Sequence, residues 1–182
     1  MDSILRTERL ILRPLTPADA APTARIMSPA IARWTGSWKS DETPEDVAQR
    51  IERYLDNERS GSSLNRAMVL AATGALIGWT GVRKSDSEPK RGSIGYWIGE
   101  AWFGQGYAKE AARAILDAAW DALDLQVIEG VAQVGNLASH RILLGLGMRH
   151  TGRREEFASA RDAADLCECY ELRRPCGPGS GT

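Results

Sequence analysis

A run of small residues after a strand-like stretch carries the strongest chemical suggestion in this chain: Phe103-Gly104-Gln105-Gly106-Tyr107-Ala108-Lys109-Glu110. Gly104, Gly106 and Ala108 have little or no side chain, so main-chain N–H groups there could close around a bulky anion. An alanine-rich helix begins at once, and a helix start offers unpaired donors and the positive end of a dipole. A phosphate is the natural guest of such a turn; the plainer alternative is a sharp link from strand to helix. Two other phosphate motifs do not fit. A dinucleotide fingerprint needs a third glycine where Lys109 stands, and a Walker loop needs Gly-Lys-Ser/Thr, which the chain lacks. A second turn, Asn136-Leu137-Ala138-Ser139, follows the next strand-like stretch and opens another helix. By itself it reads as a helix cap at Asn136 and a first-turn hydroxyl at Ser139.

Hydrophobic periodicity supplies the elements that must hold these turns. Residues 9–15 read as a first strand ended by proline. Thr16-Pro17-Ala18-Asp19 then has the form of a helix start, with a hydroxyl cap, an early proline and an acid at the third position. The same form returns at Thr43-Pro44-Glu45-Asp46, and Val47, Ile51, Tyr54 and Leu55 follow at helical spacing, which predicts a helix over 44–59. Trp34 and Trp38 lie in the loop between these helices. Residues 67–72, 76–82 and 92–98 read as strands, the first two joined at Thr73-Gly74. A helix over 105–123, a strand over 126–134 and a short helix with Ile142, Leu143 and Leu146 on its apolar face come next. Strands near 148–154 and 166–173 complete the order. Hairpin-linked strands followed by a strand–helix–strand crossover require a mixed sheet, hence an α/β fold.

A length of 182 residues predicts one domain, assigned to residues 1–174, with 175–182 as a flexible tail. The composition, 43% hydrophobic and 26% charged, is that of a globular chain, and a net charge of -1 implies no broad attraction to nucleic acid or anionic membrane. A cationic substrate stays compatible with that total. The N-terminus lacks the apolar centre of a signal peptide, and no apolar run approaches the roughly 20 residues that span a bilayer. Cys167, Cys169 and Cys176 are odd in number and read as reduced thiols in a cytoplasmic protein, the first two sharing one strand face. His140 and His150 are too few and too far apart to suggest a metal. No Cys or Ser stands beside a plausible base, so covalent catalysis through a side-chain nucleophile is not expected.

The chain resembles the GNAT superfamily of N-acetyltransferases, in particular its ribosomal-protein N-terminal (alanine/serine) branch. The matching pieces are Thr7-Glu8-Arg9-Leu10-Ile11-Leu12-Arg13-Pro14-Leu15, Ile94-Gly95-Tyr96-Trp97-Ile98, Gly104-Gln105-Gly106-Tyr107-Ala108-Lys109-Glu110-Ala111, and Asn136-Leu137-Ala138-Ser139 with Leu146-Gly147-Met148. They fall in order over residues 7 to about 152. The resemblance implies a mixed, splayed sheet and acetyl-CoA (coenzyme A) as cosubstrate, without a metal. Phe103, Gly104, Gln105, Gly106, Tyr107 and Ala108 would wrap its pyrophosphate. Its pantetheine arm would lie between the strand ending at Trp97 and Ile98 and the strand starting near Gln126, held also by Asn136. A main-chain N–H near Trp97 or Ile98 would polarise the thioester carbonyl. Glu100 matches the position of a general base and Ser139 that of a general acid. Trp34 and Trp38, beside Asp41 and Glu42, would form an aromatic and acidic mouth over the acceptor. Two positions depart from the family: Phe103 replaces a polar residue common at the start of the pyrophosphate loop, and Met148 stands where phenylalanine is usual. The expected reaction is direct acetylation of a protein or peptide N-terminal amine, by a monomer or homodimer. The alternatives are a small amine (amino acid, polyamine or aminoglycoside) as acceptor, or a non-catalytic acyl-CoA sensor.

Overall fold

The computed structural model describes residues 3–175. Its strands are β1 (Leu5–Arg6), β2 (Leu10–Arg13), β3 (Ser63–Leu70), β4 (Leu76–Lys84), β5 (Arg91–Ile98), β6 (Val127–Gln133), β7 (Arg149–Ala158) and β8 (Ala163–Arg173). They form one sheet in the order β1-β2-β3-β4-β5-β6-β8-β7. The helices are α1 (Ala20–Ile26), α2 (Pro29–Ala32), α3 (Pro44–Arg59), α4 (Tyr107–Ala122) and α5 (Leu137–Gly145). Because α4 carries the chain back across the sheet, β5 and β6 pair in parallel, while every other neighbouring pair is antiparallel. The mixed α/β sheet is the expected one.

The α3 boundaries follow from local chemistry. Thr43 accepts from the Asp46 N–H at 3.2 Å, Asp46 accepts from the Thr43 N–H at 2.9 Å, and Pro44 takes the first helical position, where no N–H is needed. Val47 and Ile51 of this helix are fully buried against Ala67 and Val69 of β3, Trp79 of β4 and Trp97 of β5. On the opposite face, Ala111, Ala112, Ile115, Leu116 and Ala119 of α4 have no exposure, and they pack on two clusters that include Ile94 and Ile98. Alternation along β5 therefore sends Trp97 toward α3 and its neighbours Tyr96 and Ile98 toward α4. Each large apolar side chain buried in this way contributes about 1.5–3 kcal/mol.

Four local features differ from the sequence-based expectations. The start of β3 lies at Ser63 rather than 67, because the polar stretch Ser63-Leu64-Asn65-Arg66 is part of the strand. Arg66 is fully buried there; its Nη1 donates to Glu58 of α3 at 2.8 Å and to the Asn65 carbonyl at 2.6 Å. The short elements β1 and α2 are additional. The edge strand β7 extends to Ala158, past the expected end near 154. Cys167 and Cys169 are both buried free thiols, as expected of residues two apart on β8. Burial pushes the Cys167 thiol up to about 11, so it is protonated at neutral pH. Cys176 and the tail beyond it lie outside the described residues.

Candidate active site

The parallel pair at the centre of the sheet is joined only along its first half. Its register runs from Arg91↔Val127 to Ile94↔Gly130 and then stops, although β5 continues to Ile98 and β6 to Gln133. The Gly99 N–H donates to the Ile77 carbonyl and the Arg91 carbonyl accepts from the Ser85 N–H, so the odd-numbered residues of β5 bond to β4. By alternation, the main-chain groups of Tyr96 and Ile98 face the gap left by β6. That gap can receive an extended chain as an added strand. Of the two donors expected to polarise a carbonyl, Ile98 N–H is therefore on the open side, while Trp97 N–H is directed at β4.

Beyond β5 the chain makes a 3₁₀ turn at Glu100–Trp102 and passes through the glycine pair into α4. Gly104 and Gly106 have φ of 73° and 84°, a region open to glycine and costly for other residues. Among the described residues, no main-chain N–H from 104 to 109 donates to a main-chain carbonyl; the first such bond of the helix is from the Glu110 N–H to the Gly106 carbonyl, at 3.1 Å. A Cβ at Gly104 would meet nothing within 4 Å. These free donors at the start of a sixteen-residue helix fit a diphosphate. Arg9 braces the turn. Its Nη1 donates to the Gln105 carbonyl at 3.0 Å, its guanidinium lies 4.4 Å from the Tyr107 ring centroid, and its Nη2 is 2.6 Å from the Glu110 carboxylate.

A cavity of about 740 Å³ opens beside the gap, lined by Trp34, Trp38 and Trp97 together with Asn136 and Ser139. The Trp38 ring meets Trp79 and Trp97 edge-on, with centroids 5.0 and 5.2 Å away. Gly95 also lines the cavity, and a Cβ placed there would meet nothing within 4 Å. Asn136 caps α5, its Oδ1 accepting from the Ser139 N–H at 3.2 Å. Tyr96, which apolar periodicity alone does not mark as functional, shares this cavity. Its hydroxyl is buried without a partner of good hydrogen-bond geometry. Burial raises its pKa to about 12, against a smaller opposing influence from the neighbouring Ser139 hydroxyl. A phenol so placed stays protonated at neutral pH and can supply a proton. The available sequence signal was its alternation with Ile94 and Ile98, which assigns Tyr96 to the α4 face.

The remaining site candidates are distributed more widely. Glu100 is exposed on the 3₁₀ turn and is not among the residues lining the cavity. Ile98 is buried in the core under α4, so only its main chain is available to a guest. Phe103 is 47% exposed at the start of the glycine turn. The acidic mouth expected from Asp41 and Glu42 is absent: Asp41 is exposed outside the cavity, and Glu42 is tied to Arg50. Both ring nitrogens of His140 are engaged, with the Val134 carbonyl and the Tyr170 hydroxyl, each at 3.1 Å.

The site thus offers an open strand edge, a donor-lined turn, a buried phenol and an aromatic cavity, which suits transfer of a group carried on a long phosphorylated arm. The Acetyltransferase (GNAT) domain family matches residues 9–149. The uncharacterized N-acetyltransferase YoaA of Bacillus subtilis is 29% identical over 176 residues, which cover 96% of this chain and 99% of YoaA. Two solved structures share the fold. Ribosomal-protein-S5-alanine acetyltransferase from Vibrio fischeri matches with a TM-score of 0.80 and 18% identity, covering 96% of this chain and 98% of its own. RimJ of Mycobacterium smegmatis, in complex with CoA-disulfide, matches at 0.81 and 22%, covering 98% and 89%. From the family match over most of its length, the chain belongs to the GNAT family and is an acetyl-CoA-dependent acetyltransferase.

Proposed function

We propose that this enzyme acetylates the N-terminal amine of a protein or peptide by direct attack, without a covalent acetyl-enzyme. The observation that carries the reading is the unpaired half of the β5–β6 pair, which leads at one end to the free N–H groups of 104–109 and borders the aromatic cavity. Acetyl-CoA supplies the acetyl group already activated as a thioester. Phe103, Gly104, Gln105, Gly106, Tyr107 and Ala108 hold its diphosphate, Tyr96 and Ile98 offer strand-like main chain to its arm while the Trp97 main chain stays with β4, and Asn136 adds a side-chain amide. Ile98 N–H polarises the carbonyl on which the amine attacks. As the carbon–nitrogen bond forms and the carbon–sulfur bond breaks, the amine proton leaves to Glu100 through water, because Glu100 is exposed. Tyr96 and Ser139 return a proton to the departing sulfur. Trp34 and Trp38 close over the acceptor.

A protein N-terminus is supported by the fold likeness to the alanine acetyltransferase of ribosomal protein S5, and a ribosomal type of acceptor would put the reaction in the cytoplasm. We further propose that residues 1–174 act as one unit, as a monomer or homodimer. The test is acetyl-dependent thiol release over a panel of peptides with free N-termini, amino acids, polyamines and aminoglycosides, with coenzyme A affinity measured in parallel. Release with peptides is the expected result. Release confined to small amines moves the acceptor to that class, and coenzyme binding with no release from any amine leaves only a sensor.

A further inference from the structure

The charges facing the cavity limit what the acceptor can be. From α3, Arg50, Arg53, Tyr54 and Asn57 line one wall, a spacing that keeps them on one helix face; Lys39, Glu42 and Arg83 complete the charged lining. Glu42, the one carboxylate among these residues, is paired with Arg50. Arg83 is paired with the exposed Asp86, and Lys39 acts on Asp46 at the start of α3. Arg53 is exposed and has no ion-pair partner within 4 Å among the described residues. Two further donors behind this wall are buried. Arg50 Nε and Trp97 Nε1 have no hydrogen-bond partner, in residues only 9% and 7% exposed.

Both atoms are sealed from solvent, so a guest's charge is read by Arg53 at the exposed rim rather than by them. A polyamine or aminoglycoside would bring further cations against Arg53. The α3 wall is also distinct from the diphosphate turn, because α3 and α4 pack on opposite faces of the sheet.

We propose that the acceptor is an amine that also carries a carboxylate, foremost a peptide with Asp or Glu among its first residues, and that Arg53 is the residue that selects it. The inference rests on the acetyl-transfer reading above and names the acceptor class of the same site. Arg53 meets the carboxylate at the rim, and Lys39, Arg50 and Arg83 against the single Glu42 leave the wall around it net positive. The attacking amine enters neutral, so its reaction gains nothing from an acidic wall.

The test uses the full chain and peptides that begin with serine and differ only in Asp, Asn or Lys at the second and third positions, with free glutamate as a further arm. Binding is read by intrinsic fluorescence, since Trp34, Trp38, Trp79 and Trp97 line the cavity, and turnover by thiol release. The acidic peptide is expected to bind about tenfold tighter than its amide counterpart, with an advantage that shrinks as salt rises. Arg53→Ala should remove that advantage and Arg53→Glu should reverse it toward the lysine peptide, with the KM for acetyl-CoA unchanged. Arg53 is exposed, so neither variant threatens folding. Equal binding of all three peptides, or a preference that survives Arg53→Glu, overturns the inference even if thiol release continues. Preference for free glutamate over every peptide keeps the carboxylate rule and moves the acceptor to a small molecule. Absence of both thiol release and coenzyme binding would instead sink the acetyl-transfer reading, and the fluorescence titration would still judge Arg53.

Discussion

Replacing Glu110 by Gln tests whether the anion turn is held from outside the helix that it opens. The Glu110 carboxylate accepts from the Thr7 hydroxyl at 2.6 Å, the Arg9 main-chain N–H at 2.9 Å and Arg9 Nε at 2.7 Å. Arg9 in turn donates to the Gln105 carbonyl, so the segment before β2, the glycine turn and the first turn of α4 form one network. Hydrogen bonds to a charged group are worth about 1.5–3 kcal/mol each, but the Arg9 side chain is 41% exposed and water screens its share. Glu110→Gln keeps the shape and loses the charge, so a net loss of about 1–2 kcal/mol is expected. For a chain of this length that lowers Tm by roughly 2–8 °C. Burial works to raise the Glu110 pKa, and the bonds from Thr7 and Arg9 outweigh it, holding the carboxyl below its ordinary 4.5. A group depressed in the folded state gives its full stabilisation above the unfolded value and loses it as pH falls through the folded one. The gap between wild type and variant should therefore be complete at pH 7 and close under acid conditions below 4.5. Denaturant titrations at several pH values measure it, and the KM for acetyl-CoA should rise with kcat less affected. Equal midpoints at pH 7, or a deficit that does not shrink in acid, would refute the network.

Three further outcomes follow from the site. Gly106→Ala forces a side chain into φ of 84° with Arg9 Nη2 only 3.3 Å from the new Cβ; a loss of about 1–2 kcal/mol and a weaker hold on coenzyme A are expected by denaturation and calorimetry. Tyr96→Phe removes a buried hydroxyl that has no good partner, so stability should hold while turnover falls about 10²-fold at unchanged KM for acetyl-CoA; undiminished turnover assigns the proton to Ser139 or water. Glu100→Gln should lower turnover by less than tenfold, since an exposed carboxylate acts through water that can replace it, and an unchanged pH–rate profile removes Glu100 from the reaction.

Elements governed by local grammar were legible in the sequence, and those governed by distant partners were not. The helix expected over 44–59 is α3, Pro44–Arg59, because its cap, its proline and its apolar spacing all act within a few residues. The helix expected over 105–123 is α4, trimmed to Tyr107–Ala122 by the left-handed turn at Gly106. The strand expected from 67 begins at Ser63, because apolar periodicity does not extend through Asn65 and Arg66; Glu58, brought alongside by α3, makes a buried arginine tolerable there. The parallel β5–β6 pair was legible from the crossover order, and the expected splay between those strands appears as the end of their register at Ile94 and Gly130.

The same division runs through the site. Asn136, Ser139, Trp34, Trp38 and Trp97 gather at one cavity, while Glu100, two residues past the end of β5, is carried outward by a 3₁₀ turn with no clear sequence signal. Charge shows the limit most plainly. The chain as a whole carries -1, and Asp41 and Glu42 next to Trp38 suggest an acidic mouth. In the folded protein Glu42 meets Arg50 from eight positions away, and the wall keeps Arg53 over. The sign of a binding surface is thus set by which charges folding pairs off, not by which charges stand side by side in the chain. Neutralisation of Glu42 leaves the loop side of the cavity net positive, and on the acceptor reading proposed above this pairing, more than the family fold, selects which amines present themselves to the acetyl group.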